Sequence, residues 1–304
     1  MTNHNHGIQN FGPGQMHITG SAIGTGAQVH YSPPSTSAQA TKRCDIGVLT
    51  VVAAEASAIS ALAAGSTDRH EARHDDRTFH EFTIGYPGGS ARLVTLQQSD
   101  RGQQSTVAAY QAMRQRYRPR LVVIVGIAGG IHPDLGIGDV AVANQIIHYD
   151  SRREEPGDTR RRANVNKVPH WVQNAINDFF ADHGEPARFS PPGSAGYIAR
   201  PGPIGSGESV IRDASSAIRQ YLHTVNDKTL AVETEGAALA QASYEDEQHL
   251  DGPKGWMVIR GISDHADPAK DDSRHELAAR NAAQTLRELL PTLMKGLDET
   301  AGHQ

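Results

Sequence analysis

Cys44 is the only cysteine among 304 residues, so the chain can form neither an internal disulfide nor a multi-cysteine zinc site. Long apolar runs are also missing. No stretch reaches the roughly 18 residues needed to cross a bilayer, and the first residues lack the basic and apolar regions of a secretory signal. A formal net charge of −5 gives no bias toward polyanions. These absences predict a cytoplasmic protein that binds neither nucleic acid nor membrane. No G-x-x-x-x-G-K-[ST] phosphate loop occurs, and the glycine cluster "GIAGG" (126–130) does not match the dinucleotide fingerprint. The oddest absence is local: residues 1–41 contain no Asp, Glu, Lys or Arg. With few large apolar side chains, that segment cannot bury enough surface to offset its ordering entropy. A disordered tail and linker are therefore expected over residues 1–42, with one domain over 43–304. A strand-like patch, "QMHITGSAI", suits pairing with a partner's sheet edge.

From Lys42 onward, strand and helix signals alternate. "DIGVLTVV" (45–52) is a β-branched run feeding a helix in "AAEASAISALAAG". "HEFTIG" and "RLVTLQQ" read as strands. "STVAAYQAMRQRYRPR" has helical spacing and is stopped by Pro119. "LVVIV" (121–125), apolar on both faces, reads as a buried central strand. "DVAVANQII" (139–147), "TLAVE" (229–233) and "WMVIRGI" (256–262) read as further strands. "GAALAQASYEDE" and "RHELAARNAAQTLRELL" read as helices. The charged passage "SRREEPGDTRRRA" (151–163) is expected as a solvated loop. This alternation predicts one α/β domain with a largely parallel or mixed sheet.

In such sheets, ligands bind where strands end. Four strand ends carry unusual chemistry: Glu55 after "IGVLTVV"; the glycine cluster after "LVVIV"; Glu233, Thr234 and Glu235 after "TLAV"; and Ser263, Asp264 and Asp267 after "WMVIRGI". A carboxylate in a first helical turn is commonly just a dipole partner. Their coincidence at four strand ends points instead to a site. His265 beside Asp264 and Asp267 forms no recognised metal-ligand spacing, so neither metal nor cofactor is expected.

Taken in series, "IGVLTVVAAEASAI", "GIAGGIHPDLGIGDVAVA", "GPIGSGESVI", "AVETEGAALA" and "VIRGISDHAD" resemble the nucleoside phosphorylase and nucleosidase superfamily. The nearest branch is the methylthioadenosine/S-adenosylhomocysteine nucleosidases. The resemblance spans residues 45 to about 290. It implies a phosphorylase/hydrolase-like three-layer αβα sandwich around a mixed, partly barrel-like sheet. It also implies cleavage of the N-glycosidic bond between a purine and ribose, through an oxocarbenium-like transition state.

Carried over residue by residue, Asp264 would be the general acid to N7 of the base, and Glu55 would orient and deprotonate the attacking water. Arg260 would sit beside that water among the glutamates, since an arginine buried in an apolar strand needs a partner. Glu235 would grip the 2′- and 3′-hydroxyls. Glu233 serves either Arg260 or the sugar, or a structural salt bridge. Thr234 stands where close relatives often have methionine. Val210 and Ile211 would flank the base, with Val210 where an aromatic ring often stacks. Ile127, Ala128 and Gly129, together with Ser263, complete the substrate-binding set.

An acid at Asp264 implies adenine over 6-oxopurines. Two alternatives remain: a phosphorylase, for which Arg101 before a helix is the candidate anion site, and a sensing or effector module that docks through its tail. The arginines of 151–163 would serve a 5′-phosphate if the substrate is a nucleotide. The resemblance further implies a homo-oligomer.

Overall fold

In a computed structural model of the chain, residues 42–191, 195–246, 249, 252–266 and 274–301 are described. The uncharged segment 1–41 with its strand-like patch lies outside them, as does Asp267. The elements run β1 (Ile46–Thr50), α1 (Ala53–Leu62), β2 (His70–His74), β3 (Arg77–Tyr86), β4 (Gly89–Gln97), α2 (Gln103–Tyr117), β5 (Leu121–Gly130) and β6 (Val140–His148). Next come β7 (Arg152–Glu155), β8 (Asp158–Arg161), β9 (Asn164–Lys167), α3 (His170–His183), β10 (Ala187–Phe189) and β11 (Tyr197–Ser206). The last are α4 (Ala217–Val225), β12 (Ala231–Glu233), α5 (Gly236–Asp246), β13 (Trp256–Asp264) and α6 (His275–Ala301).

One sheet follows the order β10–β11–β6–β13–β5–β1–β4–β3–β2. It is mixed: β1 is parallel to β4 and β5, whereas β3 is antiparallel to β4, and β6 to β13. Short β12 pairs in parallel with β11 and antiparallel with β5, which closes β5, β13, β6, β11 and β12 into a five-stranded ring. The expected α/β sandwich around a partly barrel-like sheet is the observed fold. Its core follows from β5: Leu121–Val125 lies between β1 and β13, and all five residues are buried. On the sheet faces, α6 packs against α1 and α3, and α2 against α5.

The expected boundaries shift in three places. β5 does not stop at Val125 but continues through the glycine cluster, because Gly126–Gly129 pair with β13 while Gly129 and Gly130 pair with β12. Ladder pairing there overrides glycine's poor strand propensity. Similarly, β13 runs past Ile262 to Asp264. The final helix passes through Pro291, which forfeits one backbone hydrogen bond; the buried row Leu286, Leu289, Leu290, Leu293 and Leu297 holds the helix on course.

The solvated loop expected over 151–163 is instead a hairpin, β7 against β8, turned at Pro156–Gly157. Cross-strand and local ion pairs lace it: Arg152–Glu154, Arg153–Glu155 and Arg160–Glu155.

Candidate active site

Thr50 ends β1, and Val51 and Val52 turn the chain into α1 so that Glu55 lies in its first turn, 2% exposed. Its carboxylate is held from three sides. Oε2 accepts the Val51 N–H at 2.6 Å and the Val52 N–H at 3.1 Å, and Oε1 accepts the Ile127 N–H at 2.8 Å. Burial pushes this carboxyl above its ordinary value, against the pull of Arg260 and of the three backbone donors.

Arg260 lies inside β13, 1% exposed, where a lone charge would cost several kcal/mol, about what an unpaired buried ion costs. Its Nη2 donates to Glu233 Oε2 and, at 2.8 Å, to Glu235 Oε2, while Nη1 stands 3.8 Å from Glu55 Oε1. Burial opposes its charge, but Glu233, Glu235 and Glu55 outweigh that and hold the guanidinium protonated above its usual range. Its Nε has no hydrogen-bond partner among the described residues.

The two glutamates of β12 and its turn differ in what they hold. A carboxylate has about four lone-pair sites. Glu233 accepts from three donors, Arg260 Nη2 and the N–H groups of Glu235 and Gly236, the last shared between both oxygens at 2.9 Å. It caps α5 and pins Arg260. Glu235 accepts three hydrogen bonds: Gly102 N–H at 2.9 Å, the Thr234 hydroxyl at 2.5 Å and Arg260 Nη2. One lone pair on Glu235 is left over, and likewise one on Glu55.

At the end of β13 the register breaks between Ile262 and Asp264, and Ser263 and Asp264 both line the cavity. Such irregularities re-aim side chains beside sites. Asp264 accepts the Ala266 N–H at 2.9 Å on Oδ1 and the Ser263 hydroxyl at 3.0 Å on Oδ2.

Two glycines are needed for this packing. A Cβ on Gly126 would collide with the Glu55 carboxylate and with Arg260 Nη1. Gly102 has φ +94°, and a Cβ there would sit 2.8 Å from Glu208 Oε2. Gly126→Ala is expected to cost about 1–3 kcal/mol of stability, the range for overpacking, and to displace Glu55, so that melting temperature and turnover fall together. A thermal melt with unchanged midpoint and an unchanged rate would contradict this geometry.

One cavity of about 670 Å³, counted to its open mouth, gathers Asp264, Ser263, Arg260, Glu55, Glu233, Thr234 and Glu235 with Ile127, Ala128, Gly129, Val210 and Ile211. That volume suits a small-molecule ligand. The twelve catalytic and substrate-binding residues expected from the sequence therefore line one space, and Arg101 lines it too, whereas the arginines of 151–163 are not among its lining residues. The loop carrying Val210 leaves that side chain 58% exposed, while Ile211 is buried. The sequence reading missed Tyr149, Ser209 and His275 in the wall. Buried Tyr149 donates its hydroxyl to the Ser209 carbonyl at 2.9 Å, which ties the end of β6 to the Val210 loop. No motif marks that tyrosine.

The family model described as the phosphorylase superfamily matches residues 45–293. The chain belongs to this superfamily. Among curated relatives, the 5′-methylthioadenosine/S-adenosylhomocysteine nucleosidase of Mycobacterium bovis is 30% identical over 224 residues, covering 67% of this chain and 83% of that one. The corresponding Listeria innocua enzyme is 29% identical over 227 residues, with 70% and 87% coverage. The ATP nucleosidase Cap17 of Escherichia coli is 25% identical over 222 residues, or 67% of this chain. Those residues make up only 42% of that longer relative. Among solved structures, the S-adenosylhomocysteine nucleosidase of Streptococcus pyogenes with 5-methylthiotubericidin aligns at a TM-score of 0.64 and 21% identity, over 83% of this chain and 98% of that one. Futalosine hydrolase of Helicobacter pylori aligns at 0.62 and 21% identity, with 83% and 98% coverage. These superfamily structures share the fold described above.

Proposed function

We propose that this superfamily member is a purine nucleosidase that hydrolyses the N-glycosidic bond of an adenine nucleoside or nucleotide to free base and sugar. The observation that carries the reading is the convergence of Asp264 and the Glu55–Arg260–Glu235 cluster on one cavity. Asp264, oriented by Ser263 and the Ala266 N–H, donates its proton to N7 of the departing base. Glu55 takes the attacking water on its remaining lone pair and accepts its proton as the bond to the anomeric carbon forms. Glu235 takes a ribose hydroxyl on its own remaining lone pair. Ala128, Gly129, Val210 and Ile211 enclose the base.

Charge decides which transition state the cavity favours. Three carboxylates, Glu55, Glu233 and Glu235, surround the single guanidinium of Arg260, so the deep end is acidic and suits a sugar that becomes cationic as its bond breaks.

The same charge argues for water over phosphate. The anion position expected beside Arg101, at the start of α2, is already taken: Glu235 accepts the Gly102 N–H, and Glu208 the Gln103 N–H at 3.2 Å. An inorganic phosphate seated on those backbone N–H groups would have to displace a carboxylate and then face Glu55.

Incubating the full chain with adenosine, AMP, methylthioadenosine and inosine, and following free base, tests the base assignment. Adenine release well above hypoxanthine release is expected; preferential inosine cleavage would contradict it. The state of Glu55 supplies a second expectation. Its base form is the active one, so kcat/KM is lost as pH falls through a midpoint above 4.5, the ordinary glutamate value. A pH–rate profile that stays flat below 4.5 would remove Glu55 as the base.

A further inference from the structure

The cavity wall carries two arginines with different surroundings. At the floor, the guanidinium of Arg260 is consumed by Glu233 and Glu235. At the mouth stands Arg101, which lines the cavity and is exposed. Its backbone N–H bonds Asp100, but its guanidinium forms no ion pair among the described residues.

The hairpin beside the mouth follows the same pattern. Arg152, Arg153 and Arg160 pair with its own Glu154 and Glu155. Arg161, half-buried, has no carboxylate within salt-bridge distance among the described residues; it donates through Nη1 to the carbonyl of Tyr149, a cavity-wall residue, at 3.2 Å. Arg101 and Arg161 thus form no ion pair among the described residues.

A nucleoside has three parts in series: base, ribose and 5′ substituent. With the base at Asp264 and the hydroxyls at Glu235, the position of the third part follows from Gly102. The N–H of Gly102 holds Glu235, and Arg101 is the next residue toward solvent. We propose that the substrate carries a 5′-phosphate and that Arg101 binds it at the mouth, reinforced by Arg161. This rests on the nucleosidase reading above and adds the substrate class.

A guanidinium binds phosphate through two parallel hydrogen bonds, whereas a 5′ thioether offers it no acceptor of comparable strength. The acidic floor supplies the opposite half of the selection, because it repels a phosphate that enters first. Charge at both ends therefore fixes one orientation: base and sugar inward, phosphate outward.

The test compares kcat/KM for AMP, ATP, adenosine and methylthioadenosine on the full chain. The 5′-phosphorylated substrates are expected to exceed adenosine and methylthioadenosine. In Arg101→Ala the ratio of AMP to adenosine should fall about 10- to 100-fold, the range for one charge-assisted contact, and Arg101→Lys should recover part of it. Raising the salt concentration should lower the same ratio. A wild-type preference for adenosine or methylthioadenosine would overturn the inference, and so would an Arg101→Ala variant that loses both substrates equally. If no substrate releases base, the nucleosidase reading fails instead. Calorimetry with Asp264→Asn then decides the phosphate question alone: tighter binding of AMP than of adenosine keeps the inference, and equal binding ends it.

Discussion

Replacing Asp264 by Asn is expected to lower kcat for base release by at least about 100-fold, the smaller end of what general-acid catalysis contributes, while the melting temperature holds. The fold should tolerate the change because the two side chains have the same shape. The Asn carbonyl can still accept the Ala266 N–H, and the Ser263 hydroxyl, 3.4 Å from the Ala128 carbonyl, can turn toward that acceptor. What Asn cannot do is give up a proton to a leaving purine. Steady-state kinetics beside a thermal melt separate these effects. A variant within about threefold of wild type in kcat would show that the base leaves without this acid, since general-acid catalysis contributes far more than that.

The second large effect is structural. Arg260→Met removes the one positive charge among Glu55, Glu233 and Glu235, all buried. A hydrophobic residue of similar length fills the space, but the loss of one partner leaves buried carboxylates uncompensated. Breaking such a pair costs about 3–5 kcal/mol, and at roughly 2–4 °C per kcal/mol for a domain of this size the melting midpoint should drop by about 10 °C. Insoluble expression of Arg260→Met would point the same way. Arg260→Lys keeps the charge yet lacks the second terminal nitrogen that stands 3.8 Å from Glu55 Oε1, so it should lie between. A melting temperature unchanged in both variants would mean that the cluster is not held by this charge.

These two residues also show how far the sequence alone could be read. Asp264 and Glu55 each stand where an apolar run ends, where a lone carboxylate is commonly a dipole partner, and they were legible because four such strand ends coincide within a series of motifs that resembles one superfamily. Arg260 was legible because an arginine within "WMVIRGI" must find anions. The division of labour between Glu233 and Glu235 was not legible. Both lie in the same small, apolar run, and only the hydrogen bonds show that one holds the α5 N-terminus through the Glu235 and Gly236 N–H groups while the other holds the Gly102 N–H and the Thr234 hydroxyl.

The fold divides in a similar way. Strands apolar on both faces, such as β5 and β13, stood out, as did α2, which ends before Pro119. The passage from Asn164 to Lys228 did not, although it holds α3, β11 and α4. In β11, "YIARPGPIGS", two prolines and two glycines mask a strand that is fixed by pairing with β6 and β12. Tyr149 escaped for another reason: its place in the wall depends on where β6 ends relative to the Val210 loop, a long-range fact.

At the glycine cluster 126–130, the groups that approach Gly126 belong to the protein itself. Glu55 and Arg260 fill the space that a side chain there would take. The acidic floor is thus built by the protein's own contacts, with α1, β5, β12 and β13 each supplying one part. Such preorganisation lets fixed charge stabilise a developing cation without rearrangement at the moment of reaction.

The most direct measurement is the mass of the sugar product when an adenine nucleotide or nucleoside is turned over in the presence of inorganic phosphate. An acidic cavity that activates water predicts free ribose or ribose 5-phosphate as the only sugar, at a rate that does not depend on phosphate. A sugar 1-phosphate among the products, or adenine release that stops when phosphate is removed, would contradict it.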